Sequence, residues 1–171
     1  MTVAVVQDAG LADRLAQVIN DAYAVGEQGL WIDGHTRTTP AEVVELLRDG
    51  TMLAATDDGR VVGCAYVRPL DDSTSDVGLI SVAPEAWGGG LGRALVRAAE
   101  ELMRSHGATT SQLELLVPQM GSHAGKDRLR AWYERLGYRV VRTAPFEEIA
   151  VHEATELMAP CRFLIFRRSL T

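Results

Sequence analysis

The chain is 171 residues long, 47% hydrophobic and 23% charged, with a formal net charge of −6. That length and apolar content suit one globular domain over residues 1–171, and nothing in it reads as a linker, repeat or low-complexity tract. The acidic balance argues against a nucleic-acid partner, because a phosphate backbone demands a basic face.

Residues 2–7 (TVAVVQ) alternate and are β-branched, which predicts a first strand. Residues 1–10 carry no basic or apolar targeting pattern, and no apolar run approaches membrane-spanning length. A cytoplasmic location with no membrane partner is therefore expected. Leu11, Leu15, Val18, Ile19 and Ala22 mark a helix reaching about Tyr23. Residues 24–39 hold three glycines with Trp31, His35 and Arg37 at no steady period, the pattern of a long functional loop. Thr39-Pro40 with Glu42 opens a second helix, proline at its first position, running to Gly50. Residues 51–56 and 61–70 are strands joined by the hairpin turn Asp57-Asp58-Gly59-Arg60. Residues 71–75, acidic and serine-rich, read as a surface turn into a central strand over 76–82. Beyond a central helix, residues 111–117 form a strand and 118–125 a loop. Leu129, Trp132, Tyr133 and Leu136 give a short amphipathic helix over 127–136, stopped by Gly137. Residues 138–142 are a strand, 143–160 a long loop and 161–166 the last strand.

The order β-α-α-β-β-β-α-β-α-β-β, with a hairpin-rich first half and a βαβ-like second half, predicts an α/β (α+β) fold: a mixed sheet with helices on its faces. Cys64 and Cys161 make no disulfide framework, and a small buried thiol is the default for Cys64 in its apolar strand. His35, His106, His123 and His152 show no metal-ligand spacing, and His152-Glu153 fails as a zinc-protease start because residue 156 is Glu156. No metal site is expected.

The chain is organised around residues 76–107. A short apolar run (Val77, Leu79, Ile80, Val82) breaks at Pro84 and turns through Trp87-Gly88-Gly89-Gly90-Leu91-Gly92. Leu91, Leu95, Ala98, Ala99 and Leu102 then form one helical face, Arg93, Arg97, Glu100, Glu101 and Arg104 the other, and Gly107 is a C-terminal stop. The first N–H groups of a helix lack partners, and its dipole adds partial positive charge there. Glycines just before that end let a ligand approach the backbone, which suits phosphate or pyrophosphate. The alternative is a glycine-rich connection with no ligand. A dinucleotide fingerprint from Gly88 fails at Arg93, and a Walker loop fails because no Lys-Ser or Lys-Thr occurs.

Val82-Ala83-Pro84 followed by Trp87-Gly88-Gly89-Gly90-Leu91-Gly92 resembles motif A of the GNAT superfamily of N-acetyltransferases, Arg/Gln-x-x-Gly-x-Gly/Ala after a strand ending in Val-x-Pro. Trp87 stands where that family usually has Arg or Gln. Ala131-Trp132-Tyr133-Glu134-Arg135-Leu136-Gly137-Tyr138 is similar to the family's Leu-Tyr-Glu-Lys-Leu-Gly-Phe. Upstream, Lys126 and Leu129 replace its usual Asn and Ala, so no pantetheine-contacting Asn carries over.

The resemblance implies a GNAT-like, mostly antiparallel sheet and acetyl-CoA as co-substrate, with no metal. It places the pyrophosphate on the amides of Gly88, Gly89, Gly90, Leu91, Gly92 and Arg93, the pantetheine along Ile80, Ser81 and Val82, and the thioester carbonyl at the Val82 N–H. The implied function is acetyl transfer to a primary amine of a small molecule or peptide, by direct attack through a tetrahedral intermediate. Tyr133 matches the tyrosine that can protonate the departing thiolate, and otherwise is a core tyrosine with a satisfied hydroxyl. Asp76 matches the acidic residue some members use as a base, working through water and needing burial to raise its pKa. Glu114, His123 and bulk water are rivals for that part.

The acceptor is expected between residues 24–39, 118–126 and 143–160. Asp33, Glu147, Glu148, Glu153 and Glu156 would favour a cationic amine, whereas Arg37 and Arg142 could hold a carboxylate. Trp31 is expected to anchor its loop. The rival readings are an acyl-CoA-binding regulatory module without turnover and a transferase using another acyl-CoA. Family members are often dimers, so a homodimer is a further expectation.

Overall fold

The computed structural model describes residues 1–150 and 154–171. His152 and Glu153 lie outside the described residues. The chain order is β1 (Thr2–Val6), α1 (Ala12–Gly26), α2 (Pro40–Arg48), β2 (Met52–Asp57), β3 (Arg60–Pro69), β4 (Thr74–Val82), α3 (Leu91–Ser105), β5 (Thr110–Pro118), α4 (Ala124–Arg135), β6 (Arg139–Pro145), the short α5 (Phe146–Ile149) and β7 (Cys161–Ser169). The seven strands form one sheet in the order β1-β2-β3-β4-β5-β7-β6. Every neighbouring pair is antiparallel except β4 with β5. No helix among the described residues is long and apolar enough to cross a membrane.

Strand alternation divides the core. Successive side chains of a strand point to opposite faces. In β2, Leu53 and Ala55 join the cluster under α3 and α4, with Leu91, Leu95, Ala99 and Tyr133. Met52 and Ala54 join Leu15, Ile19, Val43 and Leu47 of α1 and α2 on the other face. Helix α2 starts on the proline-led signal because Thr39 Oγ1 accepts from the Glu42 N–H at 3.3 Å while the Glu42 carboxylate accepts from the Thr39 N–H at 2.8 Å.

Several boundaries differ from the sequence reading. Residues 71–75 are not all surface turn: Thr74 and Ser75 belong to β4 and are buried, because Asp71 turns the chain by accepting from the Ser73 and Thr74 amides. Helix α1 runs to Gly26 rather than Tyr23, and α4 begins at Ala124 because His123 Nδ1 caps the Lys126 amide at 3.2 Å. The loop over 143–160 contains the end of β6, α5 and a 3-10 turn at Ala154–Glu156.

Glu100, assigned from sequence to the solvent side of α3, is instead 3% exposed. Its carboxylate accepts from Tyr138 Oη at 3.0 Å and from Arg168 Nη1 at 2.9 Å, and Tyr138 also bonds Ser111 Oγ. A buried charge is tolerated when every acceptor is used. Glu100→Ala is expected to lower stability by about 2–3 kcal/mol, since Tyr138 and Arg168 lose their shared acceptor. Urea denaturation of the variant checks this, and an unchanged midpoint would return Glu100 to the surface.

Candidate active site

Parallel pairing of β4 with β5 covers only Thr74↔Thr110, Ser75↔Ser111 and Asp76↔Gln112. Beyond Asp76 the strands diverge, while β4 keeps its ladder to β3 and β5 its ladder to β7. Opposite the gap, β4 carries an irregularity where β3 shifts register between Cys64 and Tyr66, and Leu79 takes φ 52°. A left-handed non-glycine residue costs roughly 1–2 kcal/mol, so the bulge is held in place by the surrounding sheet. Backbone N–H groups alternate in direction along a strand. The Ala83 N–H donates to the Val62 carbonyl of β3 at 2.8 Å, which turns the Val82 N–H the opposite way, into the gap. Ile80 shares the Val82 orientation. Ser81 faces the other way: it pairs with Cys64 of β3 and is 1% exposed.

The glycine turn follows directly. Gly88 and Gly90 take φ 83° and 79°, and nothing lies within 4 Å of a Cβ built on either. Gly90 is the N-cap of α3 and offers no side chain to cap it. Among the described residues, the amides of Gly88, Gly89, Gly90, Leu91, Gly92 and Arg93 donate to no protein acceptor. These groups fit a diphosphate: open donors at a positive helix end, with room for the ligand. Gly92 has another reason to be small, since its Cβ would meet the Trp132 ring at 3.4 Å. Trp87, half exposed, donates its indole N–H to the Val82 carbonyl at 2.7 Å and ties the turn to the strand end. Arg93 points to solvent on the outer side of α3.

A cavity of about 710 Å³ opens on the α1 and α2 side of the gap, lined by Tyr23, Trp31, Arg68, Asp76, Ile80, Glu114, Tyr133 and Phe163 among others. Asp76 is 5% exposed, and its Oδ1 has no partner among the described residues. Burial, and then the neighbouring Glu114 charge, push its carboxyl up to about 7 against the opposing pull of Arg68. Burial likewise raises the half-buried Glu114, with Arg68, Arg37 and Arg142 pulling it down. Tyr133 has its ring in the core between Tyr138 and Phe166. Its hydroxyl has no hydrogen-bond partner among the described residues, unlike that of Tyr138, and burial pushes its pKa upward. Tyr133 also lines the cavity.

Asp76, Glu114, Tyr133 and Ile80 are thus brought together, and the cradle lies at the far end of the same strand. His123 is not with them. Its Nδ1 caps α4 and its Nε2 meets the Gln28 carbonyl at 3.0 Å. Arg142 pairs with Glu148 at 2.7 Å, outside the cavity. Three wall residues were missed by sequence reasoning: Arg68, Glu27 and Lys126. Lys126 Nζ meets Glu27 Oε1 at 2.6 Å with both side chains buried, and Glu27 also accepts the Trp31 indole N–H at 2.5 Å. The Trp31 anchor is therefore a buried acid that also holds α4. Glu27 and Lys126 stand far apart in the chain, so no local spacing points to that pair.

The sequence matches the model of the acetyltransferase (GNAT) family over residues 15–138. No curated protein matches it. Among solved structures, an aminoglycoside 6′-N-acetyltransferase complexed with coenzyme A aligns with TM-score 0.75 and 17% identity, covering 100% of this chain and 98% of that one. The yncA protein of Salmonella typhimurium, crystallised with acetyl-CoA, aligns with TM-score 0.71 and 17% identity, covering 100% and 94%. A ribosomal-protein-alanine N-acetyltransferase from Brucella melitensis aligns with TM-score 0.72 and 21% identity, covering 99% of each chain. At these identities the likeness is one of fold.

Gly89 has an ordinary backbone φ, and the nearest atom to its built Cβ is 3.7 Å away. Gly89→Glu therefore sets a carboxylate among the open amides without backbone strain. It is expected to weaken acetyl-CoA binding about tenfold or more by calorimetry while leaving Tm within about 2 °C. Unchanged affinity would remove the diphosphate from this turn.

Proposed function

The chain belongs to the acetyltransferase (GNAT) family, and from that premise we propose that it transfers an acetyl group from acetyl-CoA to a primary amine by direct attack. The observation that carries this reading is the strand gap. It lies between the strand end that leads to the bare amides of α3 and a cavity holding a buried carboxylate with one oxygen unpartnered, and a tyrosine hydroxyl with no hydrogen-bond partner, among the described residues. Bound acetyl-CoA would supply an activated acyl carbon and a thiol leaving group.

The amides of Gly88 to Arg93 hold the diphosphate, Val82 offers strand-like backbone to the pantetheine arm, and the N–H of Ile80, which lines the cavity with Asp76, donates to the thioester carbonyl oxygen as negative charge builds on it. An acceptor enters as an ammonium, which has no free lone pair. Asp76 takes one of its protons, directly or through water, and passes it to solvent. The freed lone pair attacks the thioester carbonyl carbon to form the C–N bond, and the tetrahedral intermediate then collapses with loss of the C–S bond. Tyr133 gives its phenolic proton to the departing sulfur and regains one from the nitrogen, which keeps its last proton as the amide N–H. A pKa near 7 suits Asp76 to this task, because a carboxyl at its ordinary value is too weak a base to compete for an ammonium proton.

The direct test is a panel of primary amines incubated with acetyl-CoA, read by thiol release and by mass of the product. Coenzyme binding without release on any amine would overturn the transferase reading. Tyr133→Phe is expected to lower kcat by about 10²-fold with the coenzyme Kd nearly unchanged. A full-speed variant would leave Tyr133 as core packing. Asp76 works ionised, so kcat/KM should rise with pH through an apparent pKa near 7 and level off above it. Asp76→Asn should remove that limb, and an unshifted profile would assign it to another group.

A further inference from the structure

The acceptor side of the cavity holds acids and bases in unequal states of use. Glu27 is spent on Lys126 and Trp31, Glu42 on Thr38 and Thr39, and Glu45 on Arg48. Asp76 is different: among the described residues, Oδ1 is buried without a partner, and Oδ2 has only Arg68 Nη2 at 3.8 Å. Arg68 sits directly across the β3–β4 ladder from Asp76, half exposed, and donates no hydrogen bond to any described residue. A guanidinium and a carboxylate held side by side, close enough to attract but too far apart to bond, leave each other's donors and acceptors open.

We propose that this pair receives the two ends of a free α-amino acid, the ammonium on Asp76 and the carboxylate on Arg68. The inference rests on the acetyltransferase reading and names its acceptor. In an α-amino acid the ammonium and carboxylate are separated by a single carbon. Their opposite charges therefore lie side by side as those of Asp76 and Arg68 do, with the signs exchanged. A planar guanidinium can take the substrate carboxylate through two parallel N–H donors, which an amide or a simple amine cannot match. Glu114 also lines the cavity and would repel that carboxylate, and the charges of Arg68, Arg37 and Arg142 act on it in opposition. Trp31, Leu116, Ile149 and Phe163 give the same cavity apolar surface. A side chain packed on that surface is apolar, so the acceptors are amino acids such as leucine, methionine and phenylalanine. Transfer then yields the N-acetyl amino acid and coenzyme A, with protons balanced as for any primary amine.

The test uses L-leucine, L-methionine and L-phenylalanine beside their carboxamides and 3-methylbutylamine, with acetyl-CoA and the full chain. The free acids are expected to exceed the carboxamides in kcat/KM by about tenfold or more, most of it in KM. Arg68→Gln is expected to bring the acid-to-amide ratio close to one. Equal or better use of the carboxamides or the simple amine would overturn the amino-acid assignment and leave the acetyltransferase reading intact. Should nothing be turned over, calorimetric titration of L-leucine and L-leucinamide into the protein with coenzyme A still decides it. Tighter binding of the acid, lost in Arg68→Gln, supports the assignment, and equal or absent binding of both overturns it.

Discussion

The structure turns on the short partnership of β4 with β5. Parallel strands normally exchange evenly spaced hydrogen bonds along their length, yet here the ladder ends after Asp76. Each strand keeps its outer partner, so the sheet stays continuous while a wedge opens in its middle. A wedge of this kind leaves backbone polar groups without a protein partner, which the fold tolerates only where solvent or a ligand can reach them. It also joins the two faces of the sheet, one packed by α3 and α4 and the other by α1 and α2.

The bulge at Leu79 lies beside that wedge. An extra residue in one strand bends it and re-aims the side chains beyond. The cradle at the start of α3 then continues the same strand, and Trp87 fastens the turn to the Val82 carbonyl. The half-exposed indole therefore has a role of position within the turn.

Buried polar groups separate into those that build and those left open. Tyr138, Ser111, Glu100 and Arg168 form a closed network. Glu27, Lys126 and Trp31 form a second, pinning the end of α1 to the start of α4 across the cavity wall. Fully satisfied networks of this sort rigidify what they connect. Asp76 and Tyr133 belong to neither. Burial, with one oxygen unpartnered among the described residues, raises the Asp76 pKa against the pull of Arg68, a stability cost that a purely structural residue has no reason to carry.

What the sequence determined was whatever depends on neighbours in the chain. The glycine turn, the amphipathic face of α3, the capping box of α2 and the hairpin at Asp57–Arg60 are set by spacings of a few residues, and they follow from local backbone rules. The element order was legible for the same reason, as were Asp76 and Tyr133 as candidates through the motifs around them. Tertiary structure decided the rest. Glu100 is buried because Tyr138 and Arg168 arrive from distant parts of the chain, and Tyr133 and Tyr138 differ in hydroxyl partners although both rings are core. Arg68 meets Asp76 only through the β3–β4 register, and Glu27 meets Lys126 only when α1 and α4 close on the cavity. Charge partnership depends on distance in space, and periodicity along a chain carries no record of it.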